Sequence, residues 1–279
     1  MSKISVVINT LNEEENLPRA MKSVKSFADE IVVVDMESID KTRGIAKKHG
    51  AKVFSHKRMG YVEPARNFAI SKSTGDWIFI LDADEEIPSS LASKLKKLIK
   101  DSKVDYYGIP RKNLIFGKWM KHSRWWPDYN IRFFKKGAVT WENEIHSIPI
   151  TMGTGDDLFA KEKYAIIHHH YQSIEQFVER MNTYTSVQAK EKKNDGYKFD
   201  WKDLIGKPVS EFNSRYFAGF GYKDGVHGLG VAGLQAFSEL VLYLKLWSHS
   251  TEASRDKQLS VTEISREIKE LRRRLVFGD

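Results

Sequence analysis

The chain has 279 residues, 41% of them hydrophobic, enough for one large domain or for a domain with an appended piece. It contains no cysteine, which excludes disulfides and thiolate metal sites and fits a reducing compartment. A formal charge of +8 suits an anionic partner (nucleic acid, anionic lipid or a phosphorylated ligand) as well as plain solubility, and "LRRRL" adds a basic cluster near the C-terminal end.

Strand-like "ISVVINT" (4–10) comes at once, so no signal peptide is expected. In "LPRAMKSVKSF", Leu17, Met21, Val24 and Phe27 stand close to helical spacing. "IVVVD" (31–35) is a second strand. Asp40 can cap a helix that stops at Gly50. "KVFS" (52–55) is a third strand, Pro64 can open a helix carrying Ala65, Phe68 and Ala69, and "DWIFIL" (76–81) is a fourth strand. Ser89 is expected to cap a helix with Leu91, Leu95, Leu98 and Ile99 on one face.

Continuous apolar strands alternating with amphipathic helices predict an α/β fold, Rossmann-like, with a mainly parallel central sheet covered on both faces. In such sheets ligands bind outside the carboxyl ends of the strands. The polar clusters that end the strands, Thr10/Asn12/Glu13, Asp35/Glu37 and Asp82/Asp84, should therefore converge on one crevice.

From about 104 the pattern changes to antiparallel strands and a long aromatic loop, and "YAIIHHHY" (164–171) is a further strand. A long helix follows over 173–192, then helices near 209–218, 225–247 and 261–275, the last with "SVTE" (260–263) as a capping box. The expected division is a catalytic domain over 1–205 and a helical extension over 206–279. Val226–Trp247 is interrupted by His227, Gln235, Glu239 and Lys245, so it is expected to be buried or interfacial rather than spanning.

Four carboxylates, Asp82, Asp84, Glu85 and Glu86, close the fourth strand. Asp82 and Asp84 can reach a hard divalent cation that also holds a diphosphate, or they can form a solvated turn; Glu85 and Glu86 suit the first turn of the next helix. Asp35 can accept hydrogen bonds from a base or ribose, or act as a turn residue. Arg66 and Asn67 open a helix, where Arg66 can meet a nucleotide or lie on the surface. No glycine-rich phosphate loop follows the first strand, which argues against dinucleotide-binding, P-loop and nucleotidyltransferase enzymes.

In "RWWPDYNIRFF" (124–134), Asp128 sits among aromatics that suit sugar stacking, and an apolar wall there would raise its pKa for use as a general base. Arg132 can pair with a diphosphate or with Asp128. "WENEIHS" supplies Glu144 and His146. On a strand His168 and His170 share a face and His169 opposes them; one of the three can complete a metal shell or simply pack at the strand end.

Taken in order, "VVINTLNEEENL", "IVVVDMESIDKT", "ARNFAI", "GDWIFILDADE", "WPDYNIRFF" and "EIHS" resemble family 2 glycosyltransferases of the GT-A fold, and within them bacterial enzymes that build lipopolysaccharide core or related envelope glycans. The resemblance is strong over residues 3–150. It implies that Thr10, Asn12, Glu13, Asp35, Arg66, Asn67, Asp82 and Ala83 surround the nucleotide, and that Asp82 and Asp84 bind Mg²⁺ or Mn²⁺ with the diphosphate, His168 being the third metal candidate. Met36 and Glu37 replace the usual small residues after the second-strand Asp. Ser147 stands where many relatives carry Glu, which moves the base to Asp128, with Glu144 second and Arg132 assisting the departing charge.

The expected activity is an inverting transfer from a nucleotide-diphosphate sugar, a uridine one, to a hydroxyl of a glycan or lipid-linked acceptor in envelope polysaccharide synthesis. The competing readings are a sugar-phosphate nucleotidyltransferase of related fold and a basic non-catalytic nucleic-acid-binding protein; the carboxylates at the crevice argue against nucleic acid. The expected location is cytoplasmic, with contact to the inner face of the membrane and homo-oligomerisation left open.

Overall fold

The computed structural model describes residues 2–58, 63–100, 103–142 and 149–249, with 265, 266, 268–270, 272 and 273 beyond them. The first hundred residues form β1 (Ile4–Thr10), α1 (Leu17–Val24), β2 (Glu30–Asp35), α2 (Thr42–Lys48), β3 (Lys52–Ser55), α3 (Glu63–Lys72) and β4 (Trp77–Ile80). The strands pair in parallel in the order β3-β2-β1-β4. Alternation along each strand explains why both faces are apolar. Ile4, Val6 and Ile8 point into one core with Leu17, Met21 and Val24 of α1; Val7, Val32, Val34, Ile78 and Ile80 point into a second, under Ala65 and Ala69 of α3. The chain leaves β1 to one side for β2 and returns on the other for β4. The crevice where such a sheet takes a ligand thus opens at the ends of β1 and β4.

The sheet then changes character. β5 (Glu85–Glu86), α4 (Ser89–Leu98), β6 (Tyr106–Ile115), β7 (Lys118–Trp119), β8 (Asp128–Lys135), β9 (Val139–Thr140), β10 (Ile150–Thr151), β11 (Gly155–Asp157) and β12 (Ile166–Tyr171) follow. The order continues β4-β8-β6-β12-β5, with β8 antiparallel to both β4 and β6; β7 and β11 also pair with β6, and β9 and β10 pair apart. Trp77 of β4 stacks on Phe133 of β8 at 4.7 Å, and Phe133 stacks in turn on Tyr107 of β6. This aromatic seam joins the parallel and antiparallel halves. Truncating fully buried Phe133 to Ala should cost about 3–5 kcal/mol.

Two local expectations need correction. Glu85 and Glu86 are not in the first turn of a helix: they form β5, where Glu85 pairs with His168 and Glu86 with Ile167 of β12. Ser89 is the first residue of α4 rather than its cap; extended Pro88 holds that place and offers no side-chain bond. Pro88 fixes the backbone there, so the helix starts without a hydroxyl cap.

The remaining elements are α5 (Ile174–Asn194), α6 (Asp203–Asn213), a π turn (Ser214–Ala218), a 3₁₀ turn (Gly221–Asp224) and α7 (Val226–Ser248). Ser173 caps α5 by accepting the Gln176 amide at 3.2 Å. α6 begins six residues before the expected 209, because the helix runs through Pro208 rather than starting after it. Of the expected last helix, the described residues are helical; its capping box lies outside them. By contacts the chain forms two units, residues 1–119 with 125–170 and residues 120–124 with 171–279. α5 groups with the later helices, so this break falls at 170/171 whereas the expected boundary was 205/206. Ala189 of α5, Leu242, Tyr243 and Leu246 of α7 form the buried heart of the second unit.

Candidate active site

The ends of β1 and β2 are tied together. Thr10 donates to Asp35 at 3.4 Å, and both are buried. The other Asp35 oxygen accepts the Ser38 amide at 3.2 Å and lies 3.9 Å from Arg43. Asn12 takes a left-handed backbone, and its side-chain oxygen accepts the Ile39 amide at 2.9 Å. Glu13 accepts from the Asn16 side chain, while its own amide donates to Thr42. Asn12 and Glu13 thus brace the loops around the crevice. Asn9, which the sequence reading passed over, is buried, and its side-chain amide has no hydrogen-bond partner among the described residues. A buried amide left in that state is costly, which makes it a candidate for a contact that a bound ligand supplies.

The end of β4 resolves the puzzle of its four carboxylates. Asp82 accepts from Arg66 at 3.1 Å and, through its other oxygen, from Arg132. Glu85 is fully buried: one oxygen accepts from Arg132 at 3.0 Å and lies 3.4 Å from Arg111, and the other accepts the Asp82 amide at 2.9 Å. Burial alone would raise the pKa of Asp82, but the guanidiniums of Arg132 and Arg66 outweigh it and hold the carboxyl well below the usual range. Arg132, 3% exposed, feels the converse: burial would lower its pKa, and Asp82 and Glu85 raise it. The like charges are therefore interleaved with three arginines.

The cluster continues into the antiparallel half. Arg111 of β6 holds Asp128 of β8 at 2.7 Å, Asn113 donates to the same Asp128 oxygen at 3.0 Å, and Asn130 donates to the other at 3.1 Å. The side-chain oxygen of Asn113 lies 2.6 Å from Nδ1 of His168. That oxygen can only accept, so Nδ1 carries the proton. Nε2 of His168 then faces an Asp84 oxygen at 3.6 Å. A carboxylate and an imidazole nitrogen turned toward one another, with the other ring nitrogen anchored by an amide, are a donor set that fits a cation. Mg²⁺ commonly takes one or two carboxylates and fills the rest of its shell with water and phosphate, so a site of few protein ligands is not anomalous.

The Glycosyl transferase family 2 profile matches residues 5–156. An uncharacterized glycosyltransferase of Rickettsia typhi is 34% identical over 255 residues, 88% of this chain and 87% of that protein. The chain belongs to glycosyl transferase family 2. The lipopolysaccharide core biosynthesis glycosyltransferase LpsC of Rhizobium meliloti is 23% identical across 85% of this chain and 86% of its own. Among solved structures, S. aureus TarS 1–349 is 16% identical, with a TM-score of 0.47 over 87% of this chain and 91% of that one. Glucosyl-3-phosphoglycerate synthase from Mycobacterium tuberculosis, in complex with Mn²⁺ and UDP-glucose, is 23% identical, with a TM-score of 0.34 over 42% of this chain and 44% of that one.

In this family 2 glycosyltransferase the first unit gathers Thr10 with Asp35, and Arg66, Asp82, Asp84, Asp128, Arg132 and His168 through the paired cluster. Ala83 is buried between the two aspartates. Asn67 spends both ends of its amide on the Trp141 backbone at 2.6 and 3.0 Å. The expected metal ligands divide: Asp84 and His168 face one another, whereas both Asp82 oxygens rest on arginines, and among the described residues no three acidic or histidine side chains gather as a metal shell. The apolar wall expected around Asp128 is instead a guanidinium and two amides, and Arg132 pairs with Asp82 and Glu85 rather than with Asp128. Glu144 and His146 lie outside the described residues. Sequence reading missed Arg111, Asn113 and the buried role of Glu85. The signal available was the alternation that puts Arg111 and Asn113 on one face of β6.

Proposed function

We propose that this chain transfers a sugar, with inversion, from a uridine-diphosphate sugar to a hydroxyl of a glycan or lipid-linked acceptor in envelope polysaccharide synthesis. The observation that carries this reading is one unbroken run of contacts from Arg66 and Asp82 through Arg132, Glu85 and Arg111 to Asp128. It links a strand end suited to a diphosphate with a carboxylate suited to an acceptor. Likeness to LpsC supports an envelope glycan as the acceptor.

Asp35 and Thr10 receive the nucleoside, and Asn9 supplies a further amide. Asp84 and His168 would hold Mg²⁺ or Mn²⁺, whose charge would offset that of the diphosphate. Arg66 adds a cation on the same side, with its guanidinium 5.8 Å from the Trp141 ring centre. Asp128 takes the proton from the acceptor hydroxyl; the freed oxygen forms its bond to the anomeric carbon as the bond to the diphosphate oxygen breaks on the opposite face. Arg111 and Asn113 fix the carboxylate, so its role is that of an aimed base. Arg132 sits behind Asp82 and balances its charge.

The test is nucleotide-diphosphate release from a sugar nucleotide in the presence of a competent acceptor. Loss of release in Asp84→Ala and in Asp128→Asn, each with an unchanged melting temperature, is expected. Full turnover by Asp128→Asn would refute the assignment of the base; full turnover by Asp84→Ala would refute that of the donor site.

A further inference from the structure

α7 carries its polarity the wrong way round for a helix facing water. Surface helices normally turn charges outward and an apolar stripe inward. Here the exposed positions Val226, Leu229, Phe237, Leu244 and Trp247 share one face, with Val226 at 85% and Phe237 at 47% exposure. The two formally charged residues of the helix turn toward its neighbours. The Lys245 ammonium lies 2.6 to 2.8 Å from four oxygens of Asn182, Thr185 and Ser186 on α5, which share its three N–H donors. Glu239 is half-buried, and burial, with Glu211 nearby, pushes its pKa up.

The charges of this stretch are sorted by sign. Between 202 and 249 the exposed charged residues are Lys202, Lys207 and Lys223. The acids are drawn inward: Asp203 accepts from Tyr197, Glu211 from Arg124 and Arg215, and Asp224 from His122. Beside the stripe Pro208, Val209, Phe212, Phe217 and Ala236 line a shallow apolar groove of about 520 Å³. Exposed Phe220 and Tyr222 stand just before the helix, and Trp247 stands near its far end. Aromatic residues at the margins of an apolar surface, with Lys223 4.6 Å from the ring centre of Phe220, match the boundary between acyl chains and anionic headgroups.

We propose that the outward face of α7, with the α6 groove, is a docking surface for an anionic lipid leaflet, and that α7 lies in the plane of that leaflet. α7 is long and apolar enough to cross a membrane, with a mean hydropathy of 1.3. Crossing, however, would carry Lys190, Glu191, Lys192 and Lys193 of the adjoining α5 into hydrocarbon. Lying flat keeps them in water and immerses only the stripe. A second copy is the competing occupant. The inference goes beyond the transfer reaction and does not rest on it.

The test is flotation of the full chain with phosphatidylcholine vesicles, with and without phosphatidylglycerol, over a salt series. Binding should require the anionic lipid and weaken with salt, and Phe237→Glu with Leu244→Glu should reduce it roughly tenfold or more. Lys223→Glu should reduce it several-fold on anionic vesicles only. Brominated acyl chains should quench Trp247 in the unaltered chain, with Trp247→Phe as the reference, so the result does not depend on how well the charged variants fold. No binding at low salt, absence of Trp247 quenching, or undiminished binding by a Phe237→Glu/Leu244→Glu chain with a normal melting temperature would overturn the proposal. So would self-association without vesicles that Phe237→Glu abolishes.

Discussion

The two halves of the central sheet present their chemistry in different ways. In β3-β2-β1-β4 the polar residues follow apolar runs and gather at strand ends: Thr10, Asp35, Asp82. In β8-β6-β12 they lie along one face within the strands: Arg111 and Asn113, Asp128 and Arg132, His168. A parallel strand buried on both faces has no room for a charge before its end. An antiparallel strand can devote alternate positions to a site along its length. In the proposed reaction the first half receives the donor, with His168 of β12 beside it, and the second supplies the base.

The largest expected effect tests that division. Asp128→Asn should lower kcat by about 10²–10⁴-fold, the range for a positioned base, with donor affinity unchanged. Initial-rate kinetics together with donor titration by calorimetry would measure both. A parallel loss of donor binding would mean that the two halves act as one site. Next comes Glu85→Ala. Removing this buried carboxylate leaves Arg132 and Arg111 short of a partner and should cost about 3–5 kcal/mol in urea unfolding. A loss below about 1 kcal/mol, the value of a surface pair, would show that the cluster does not join the halves energetically.

The strands of the parallel half were legible as apolar runs, three of the four ending in a polar cluster, and the expectation that those clusters share a crevice came from topology alone. The same cue misled at Glu85. Its neighbours in sequence suggested a helix start, whereas its partners, Arg111 and Arg132, lie 26 and 47 residues away on other strands. Asp128 was legible as a residue but not in its setting, because the aromatics beside it in sequence are not what surrounds its carboxylate. For α7 the interruptions by Glu239 and Lys245 read as breaks in an apolar segment. They are its inward side, and composition alone carries no direction.

A smaller effect separates the halves by kinetics. Arg111→Met should lower kcat roughly 10-fold by leaving Asp128 loosely aimed, with donor KM unchanged, while Arg66→Ala should raise donor KM by a similar factor. Rescue of kcat by Arg111→Lys would be partial, since an ammonium lacks the guanidinium's fork. If both variants changed the same constant, the assignment of one half to each substrate would fall.

The smallest effect lies at the opposite end of the parallel strands, away from the proposed site. Glu30 opens β2 and joins Ser5 of β1 at 2.5 Å, Lys52 of β3 at 2.6 Å and the Thr74 amide ahead of β4 at 2.7 Å. Burial would raise its pKa, but Lys52, Ser5 and Thr74 outweigh it and bring the carboxyl from an ordinary 4.5 to about 2. A depressed folded value means that the contribution is whole above pH 4.5 and is lost as pH falls through about 2. Lys52 is exposed, so screening should reduce the effect to about 1 kcal/mol. Urea midpoints measured from pH 5 down to 2 should therefore fall less steeply in Glu30→Gln than in the native chain. Equal slopes would mean that the parallel half is held at this end by its apolar strands alone, and that its electrostatics belong wholly to the crevice.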